Sequence, residues 1–496
     1  MAANLDQILI ATTLTAKDLG IYGIAAALYY PVFGLTAITN STIFPASVHL
    51  AAGGDMARVR NLLVRGTRIA AAIILCGSAV VAVWAEPFAR VWIAESFGES
   101  GELVTIWLSH MVLTAFVGIG WSMFGALGRV SDAAARNPDS GRRFGRILVT
   151  GGAGFIGSAY VRDVLARSDG TRITVLDKLT YAGNQANLAP VRADPEQAAR
   201  LRFVQGDIAD AGLVASLIGD VDAVVNFAAE SHVDRSILDP EAFLMTGVIG
   251  VHVLLEACRT AAHQPRYLQV STDEVYGSID QGHATEDAQL APRSPYAAAK
   301  AAGELLVRSY VITHGLDAVV TRGSNTYGPY HHPEKLIPLF VTNAIDDQPL
   351  PMYGDGLQRR DWLYVSDHAA GVDFVLRHGA SGETYNVAGG VEMTNRETVT
   401  LLLAHLGKPW SLVRQVEDRP GHDRRYAMDG SKLHALGWRP QTAFAEGLAR
   451  TIDWYVANEA WWRATRSGDW DAYYERQYGA RLAGGQAATA SPKPTD

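Results

Sequence analysis

The chain has 496 residues, too many for one ordinary core, since domains run to about 100–200 residues and rarely exceed about 250. Its 48% hydrophobic and 19% charged residues are those of a globular protein, and a net charge of −8, from 43 basic and 51 acidic side chains with no long basic run, leaves no footprint for nucleic acid. Cys76 and Cys258 are the only cysteines and fall in different parts of the chain, which excludes a disulfide framework and a thiolate metal site and suits a reducing cytoplasmic compartment.

Residues 1–128 are the more apolar part and predict an all-α membrane segment. Residues 69–85 carry no charge and residues 103–128 carry only His110, lengths that suit the roughly 17–25 residues of a bilayer span. A third uncharged stretch, 19–54, is broken by Pro31 and Pro45 and by the polar Thr39-Asn40-Ser41-Thr42, so its polar groups should face other helices. Arg58, Arg60, Arg65 and Arg68 make one loop basic. Glu86, Glu95, Glu99 and Glu102 make the next acidic, and Arg129, Arg136, Arg142, Arg143 and Arg146 follow the last span. The positive-inside rule then places everything after Gly128 in the cytoplasm. Residues 1–18 do not have the form of a cleavable signal. The competing reading is a set of buried helices in a soluble domain.

Gly20-Ile21-Tyr22, Ile43-Phe44-Pro45-Ala46 and the apolar run ending Ala85-Glu86-Pro87 resemble a middle portion of polysaccharide flippases. The resemblance implies an anchor, a remnant or a fusion of neighbouring genes, because three or four spans cannot enclose a translocation path. A linker is expected over 129–145, where Asn137-Pro138-Asp139-Ser140-Gly141 are turn formers, and a disordered tail over 481–496, rich in Ala, Gly, Pro and Ser.

From Arg146 the pattern changes. The strand-like Arg146-Ile147-Leu148-Val149-Thr150 runs into Gly151-Gly152-Ala153-Gly154-Phe155-Ile156-Gly157 and an apolar-periodic helix to about Leu165. In that order the glycines allow a tight turn and close approach to a pyrophosphate, and the helix start supplies N–H donors. A second strand, Ile173 to Leu176, ends in Asp177, 20 residues after Gly157, where a carboxylate binds both hydroxyls of an adenosine ribose and so favours NAD over NADP. Further strands are expected at 201–205, 223–227, 267–270 and 318–322 with helices between them. The class is therefore α/β, a Rossmann doubly wound parallel sheet (146–323) followed by a smaller C-terminal substrate-binding part (324–480). Asp207-Ile208 and Phe227-Ala228-Ala229-Glu230-Ser231 lie just beyond strand ends, where ligands bind such sheets.

Tyr296 and Lys300 are four apart at the start of a helix spanning 296–314, which puts both on one face. A phenol of ordinary pKa about 10 is a poor base at neutral pH, and a nearby lysine cation stabilises its phenolate. Ser271-Thr272-Asp273-Glu274-Val275-Tyr276-Gly277 follows the fifth strand and sets a hydroxyl and two adjacent carboxylates at the same edge. A proton donor and a proton acceptor beside a hydride-transfer site are what a dehydration needs, and burial could drive their pKa values apart.

These motifs, with Ala228-Ala229-Glu230-Ser231-His232-Val233-Asp234-Arg235-Ser236 and Ser324-Asn325-Thr326-Tyr327-Gly328-Pro329, resemble the dTDP-glucose 4,6-dehydratase family of extended short-chain dehydrogenases over about residues 146–479. The resemblance implies that Tyr296, with Lys300, takes the proton of the sugar 4-hydroxyl while Thr272 hydrogen-bonds there. It implies that Glu274 removes the C5 proton and Asp273 protonates the departing 6-hydroxyl, with hydride held by NAD between C4 and C6. Cofactor contacts implied are Gly151, Gly154, Phe155, Ile156, Gly157, Asp177, Lys178, Leu179, Thr180, Asp207, Ile208, Phe227, Ala228, Ala229, Glu230, Ser231, Thr246, Tyr296 and Lys300. Nucleotide-sugar contacts implied are Thr272, Asn325, Lys335, Leu336, Pro351, Met352, Tyr353, Arg360, Asn395, Arg419 and His422. Gly247 stands where the family often has Asn, a departure near the cofactor.

A homodimer through helices flanking the sheet is also implied. Alternatives are a nucleotide-sugar 4-epimerase or decarboxylase, which needs no acid and base pair, a dehydratase for another nucleotide sugar, and a membrane transport or assembly protein with a regulatory second domain. No metal site is expected, because His331, His332 and His422 lack partners at metal spacing and suit loop or substrate contacts.

Overall fold

The computed structural model describes residues 141–487, apart from Ser168, Arg419, Pro420, Ser467, Gly468 and Gly485, together with Pro87. The membrane segment expected over 1–128, most of the linker, Arg419 and the end of the tail lie outside the described residues. The backbone divides into Met1–Gly141 and Arg142–Asp496, and the second unit is the one described below.

Its first residues correct the linker boundary expected at Gly145. Phe144 is buried, Arg142 N–H donates to the Arg377 carbonyl at 3.2 Å, and the N–H groups of Gly145 and Arg146 donate to Asp222 Oδ2 at 2.7 and 2.8 Å. The unit therefore starts before β1 does.

The expected doubly wound sheet is present. Strands β1 (Arg146–Thr150), β2 (Arg172–Asp177), β3 (Leu201–Gln205), β4 (Ala223–Asn226), β5 (Arg266–Thr272) and β6 (Ala318–Gly323) are joined by β10 (Thr384–Val387) in the order β10-β6-β5-β4-β1-β2-β3, every pair parallel. Parallel strands covered on both faces need continuous apolar runs rather than alternation, and β4 and β5 are buried at every position. The covering helices include α1 (Phe155–Ala166), α2 (Ala211–Ile218), α3 (Val251–Thr260) and α4 (Pro295–His314). Ser294 caps α4 by accepting the Ala297 N–H, Pro295 fits its first turn, and Gly315 ends it in the left-handed region.

The seventh strand moves the expected division at Gly323. Strand β10 comes from the C-terminal part, as does the helix α5 (Val365–His378), whose Ala369, Val372 and Leu376 join the core of α1 residues Tyr160, Val161 and Val164. Thr384-Tyr385-Asn386-Val387 is too short to show a period, so only long-range pairing with β6 makes it a strand. The remaining strands form two small sheets, β11 (Glu392–Thr394), β9 (Arg359–Tyr364) and β7 (Asn325–Tyr327), then β13 (Gln486–Ala487), β12 (Val413–Val416) and β8 (Leu350–Tyr353). The start of the expected tail is thus ordered. Residues 480–484 are helical, and Gln486 and Ala487 pair antiparallel with Gln415 and Arg414, which supplies the backbone partners that the sequence composition gave no reason to expect.

One buried ion pair ties sheet to helix. Arg322 of β6 donates through Nε and Nη2 to Glu304 of α4 at 3.0 and 2.7 Å, and through Nη1 to the Tyr276 hydroxyl at 2.7 Å. Both partners of the ion pair are nearly inaccessible. Removing one partner of such a pair leaves an uncompensated buried charge at a cost of about 3–5 kcal/mol. Glu304→Leu in the full chain is expected to lower the free energy of unfolding by that amount in urea titration, and a loss under about 1 kcal/mol would mean that the pair does not anchor α4.

Candidate active site

The turn after β1 is built by close approach. Gly151 is at φ +67°, and a Cβ there would meet Ala228 N at 2.6 Å, while one on Gly157 would meet the Gly151 carbonyl at 2.2 Å. Helix α1 then begins at Phe155 with no side-chain cap and no acidic residue in its first turn, which leaves its positive end to an anion. At the end of β2, Asp177 accepts N–H bonds from Ala153 and Leu179, both at 2.8 Å. Burial raises its pKa against those two bonds. Lys178 pairs with Asp207 at 2.7 Å.

A cleft of about 270 Å³ follows the C-terminal edge of the sheet. Of the sequence-predicted cofactor residues it is lined by Gly151, Gly154, Phe155, Ile156, Gly157, Asp177, Lys178, Thr180, Asp207, Ile208, Phe227, Ala228, Ala229, Glu230, Ser231, Thr246, Tyr296 and Lys300. Leu179 is not among the lining residues, and its positive φ of 58° folds its N–H onto Asp177. Gly247 backs on to α4 in the π-helical turn Met245–Gly250, where a Cβ would lie 3.1 Å from that of Ala299. A side chain here would need Ala299 to give by a few tenths of an ångström, so close packing on α4 suits the glycine.

Thr272, Asp273, Glu274, Tyr296 and Lys300 line the middle of the same cleft. Thr272 donates to Asp273 Oδ1 at 3.1 Å and accepts the Glu274 N–H at 3.3 Å. Asp273 is 2% exposed and its Oδ2 has no partner. Burial first, then the charges of Glu274 and Asp361, raise its pKa well above the ordinary carboxylate value, which favours its protonated form. Burial first, then the charge of Glu274 and more weakly that of Asp273, push the Tyr296 phenol up, against a hydrogen-bond interaction with Thr272 that draws it down. Lys300 donates to the Val270 carbonyl at 2.7 Å, and burial brings its pKa down to about 8.

A second cleft of about 170 Å³ shares Glu274, Asn325 and Lys335 with the first. It is lined also by the sequence-predicted Leu336, Pro351, Met352, Tyr353, Arg360, Asn395 and His422. Glu274 thus stands where the groove along the sheet edge meets a second recess, with Asp273 beside it in the groove.

A family model described as GDP-mannose 4,6 dehydratase matches residues 148–451. The chain belongs to that family. A dTDP-glucose 4,6-dehydratase of Streptomyces niveus is 53% identical over 330 residues, 65% of this chain and 96% of that protein. The dTDP-glucose 4,6-dehydratase 1 of Escherichia coli K12 is 46% identical over 364 residues, 68% of this chain and 99% of that protein. The solved dTDP-glucose 4,6-dehydratase DesIV of Streptomyces venezuelae, with NAD bound, is 55% identical with a TM-score of 0.62 and covers 64% of this chain and 99% of its own. A separate model, described as polysaccharide biosynthesis protein, matches residues 1–102.

Family membership leaves two residues that motif reading did not find, His368 in the lining of the first cleft and Asp361, whose charge acts on Asp273. Asp361 accepts the N–H groups of Gly389 and Val391 at 3.0 and 2.9 Å, and burial lifts its pKa to about 6. Its field is one reason that Asp273 stays protonated. His368 on α5 is buried with its Nδ1 2.7 Å from Thr326 Oγ1 and its Nε2 without a partner, and burial lowers its pKa to about 4. His331 stacks on Phe155 with ring centroids 4.0 Å apart. No local pattern marks Asp361 or His368, since both reach the site from strand and helix surfaces distant in sequence.

The raised pKa of Asp273 sets a sign for stability. Its carboxyl costs nothing below the unfolded value near ~3.9 and destabilises the fold progressively as pH rises toward the folded value. Asp273→Asn removes that cost. Measured by urea unfolding, the variant should gain on the parent between pH 4 and pH 8 by about 1.4 kcal/mol for each unit of elevation. An equal difference at both pH values would show an ordinary, ionised Asp273.

Proposed function

We infer that the chain is a dTDP-glucose 4,6-dehydratase, a hydro-lyase that uses NAD and forms dTDP-4-keto-6-deoxyglucose and water for deoxysugar and polysaccharide biosynthesis. The observation that carries this is the adjacent carboxyl pair beside Tyr296 in the first cleft, Asp273 buried and Glu274 half-buried, with Glu274 also lining the second cleft. Relatives of that activity at about half identity support the substrate, and the NAD in the solved relatives supports the cofactor. The residues present fit NAD: the uncapped start of α1 suits a diphosphate, and Asp177 suits ribose hydroxyls and would repel a 2′-phosphate.

Bound NAD would supply the hydride acceptor for C4, the donor for C6 and a positive charge beside the phenol. Tyr296 takes the 4-hydroxyl proton, with Thr272 aligned by its bond to Asp273. The resulting 4-ketone acidifies C5–H, which Glu274 removes. Asp273 gives its proton through Oδ2 to the 6-hydroxyl, which leaves as water. After Glu274 returns a proton to C5, the balance leaves one proton on Tyr296 that Asp273 needs, and Thr272, bonded to Asp273, lies between them. Arg360 and Lys335 suit the diphosphate. A 4-epimerase would have no use for the paired carboxylates.

The helical run Pro240–Thr260 has a mean hydropathy of 1.5 over its most apolar window and is the one helix among the described residues long and apolar enough to cross a membrane. We read it as half of a dimer face, because Leu244, Met245 and Ile249 on it and Leu305 and Ile312 on α4 are exposed apolar side chains. Ile312→Glu with Leu305→Glu should halve the mass seen by sedimentation, whereas an unchanged mass would place the interface elsewhere. The catalytic unit is assigned to the cytoplasm and residues 1–128 to an anchor, supported by the polysaccharide biosynthesis match. The full chain should stay with carbonate-washed membranes, and its release would remove the anchor.

Two outcomes test the reaction. With dTDP-glucose deuterated at C4, the product should carry deuterium at C6, and inversion at C4 without loss of water would mean an epimerase. Glu274→Gln should lower kcat by about 10²–10⁴-fold while still oxidising C4, seen as a single-turnover rise in reduced nicotinamide absorbance. Equal loss of that absorbance and of product would take Glu274 out of the C5 step.

A further inference from the structure

Strand β8 ends in Tyr353 at the wall of the second cleft, and the last described part of the chain is fastened against it. Val416 of β12 pairs with Tyr353, and β13 pairs with β12 on its other side. Between the catalytic body and β13 lie the π-helical turn Glu475–Gly479 and the helix Ala480–Gly484. Their side chains converge on one phenol. Gln477 Nε2 donates to the Tyr353 hydroxyl at 2.8 Å and Arg481 Nη1 donates to it at 2.9 Å. The hydroxyl itself donates to Asp234 Oδ2 at 3.1 Å, and Gln477 Nε2 reaches the same Asp234 oxygen at 2.9 Å.

A phenol has one proton to give and two lone pairs to offer. Gln477, Tyr478 and Arg481 all act on the oxygen while its proton goes to Asp234, so Tyr353 presents ring surface and no hydrogen-bonding edge to a ligand. The ring is also flanked, with Tyr478 at 6.0 Å and an interplanar angle of 32°, and His422 at 6.0 Å and 80°. Tyr353, Tyr478 and His422 all line the recess, together with Pro351 and Met352. A flat, apolar-walled slot of that kind suits a planar heterocycle.

We propose that Gln477 and Arg481 are positioning residues for the substrate's nucleotide base: by saturating the Tyr353 hydroxyl they lock its ring in the orientation on which the base stacks. The proposal rests on the nucleotide-sugar reading above and names the element that orders its base-binding wall. It assigns a binding role to a segment remote from the chemistry, so its effect belongs in substrate affinity and not in the rate of the chemical steps. Base stacking on an aromatic ring is worth about 1–3 kcal/mol, and a ring left free to turn forfeits a large part of it.

The test uses the full chain, with steady-state kinetics on dTDP-glucose and calorimetric titration of dTDP. Gln477→Leu and Arg481→Met should each raise KM and the dTDP dissociation constant by about tenfold, with kcat within about twofold and the urea midpoint unchanged. Arg481→Lys, which keeps a donor, should recover most of the affinity. In a Tyr353→Phe background, which has no hydroxyl to saturate, Gln477→Leu should add less than about twofold. Unchanged affinity, a fall in kcat matching the rise in KM, or the same tenfold penalty in the Tyr353→Phe background would overturn the proposal. If the parent chain bound dTDP without turning over dTDP-glucose, the reaction assignment would fail and the titrations alone would decide this inference.

Discussion

Every group with chemistry in this unit hangs from the C-terminal edge of one parallel sheet, and that edge exists only because the backbone can turn sharply after β1. Neighbouring strands β1 and β4 lead their connections to opposite faces, so a groove opens between them. The groove can admit a dinucleotide only if the turn stays thin. Gly151 and Gly157 achieve this by lacking a Cβ that would otherwise collide with the Ala228 and Gly151 backbones. Displace that turn and α1, the groove and the spacing of Asp177 move together.

Electrostatics at the middle of the edge follows from burial. Asp273, Glu274 and Asp361 are gathered where water is scarce, and three carboxylates there cannot all ionise cheaply. The strain is resolved unevenly: Asp273 is held protonated and Asp361 is drawn to about 6 while it accepts two backbone N–H bonds. An acid that must deliver a proton to a leaving hydroxyl gains from this arrangement, and the fold bears the cost in stability above acidic pH. Opposite charges elsewhere are paired firmly, as Arg322 with Glu304 beneath the site and Arg235 with Glu334 beside it.

The C-terminal part serves two ends at once. It completes the sheet through β10 and α5, and it builds the second recess from β8, β9, α-helical turns and the final residues. Substrate recognition is therefore mechanically coupled to the cofactor fold. Asn386 of β10 shows the link in one residue: it accepts the Tyr276 hydroxyl at 2.7 Å and donates to the Ala284 and Asp429 carbonyls.

What could be read in the sequence was local. The glycine turn, the acid at the end of β2, the Tyr296 and Lys300 spacing and the Asp273-Glu274 doublet each fall within a few residues of a strand end or on one helix face, where short-range geometry is set by periodicity and turn chemistry. Six of the seven strands of the large sheet were legible for the same reason, most of them as short apolar runs. Tertiary structure alone decided that Thr384-Tyr385-Asn386-Val387 closes the sheet, that His368 enters the cleft and Asp361 comes within reach of Asp273, and that residues 475–487 brace Tyr353 instead of trailing away. Those features depend on pairings between segments far apart in the chain, whose hydrogen bonds and fields have no signature in any single stretch of residues.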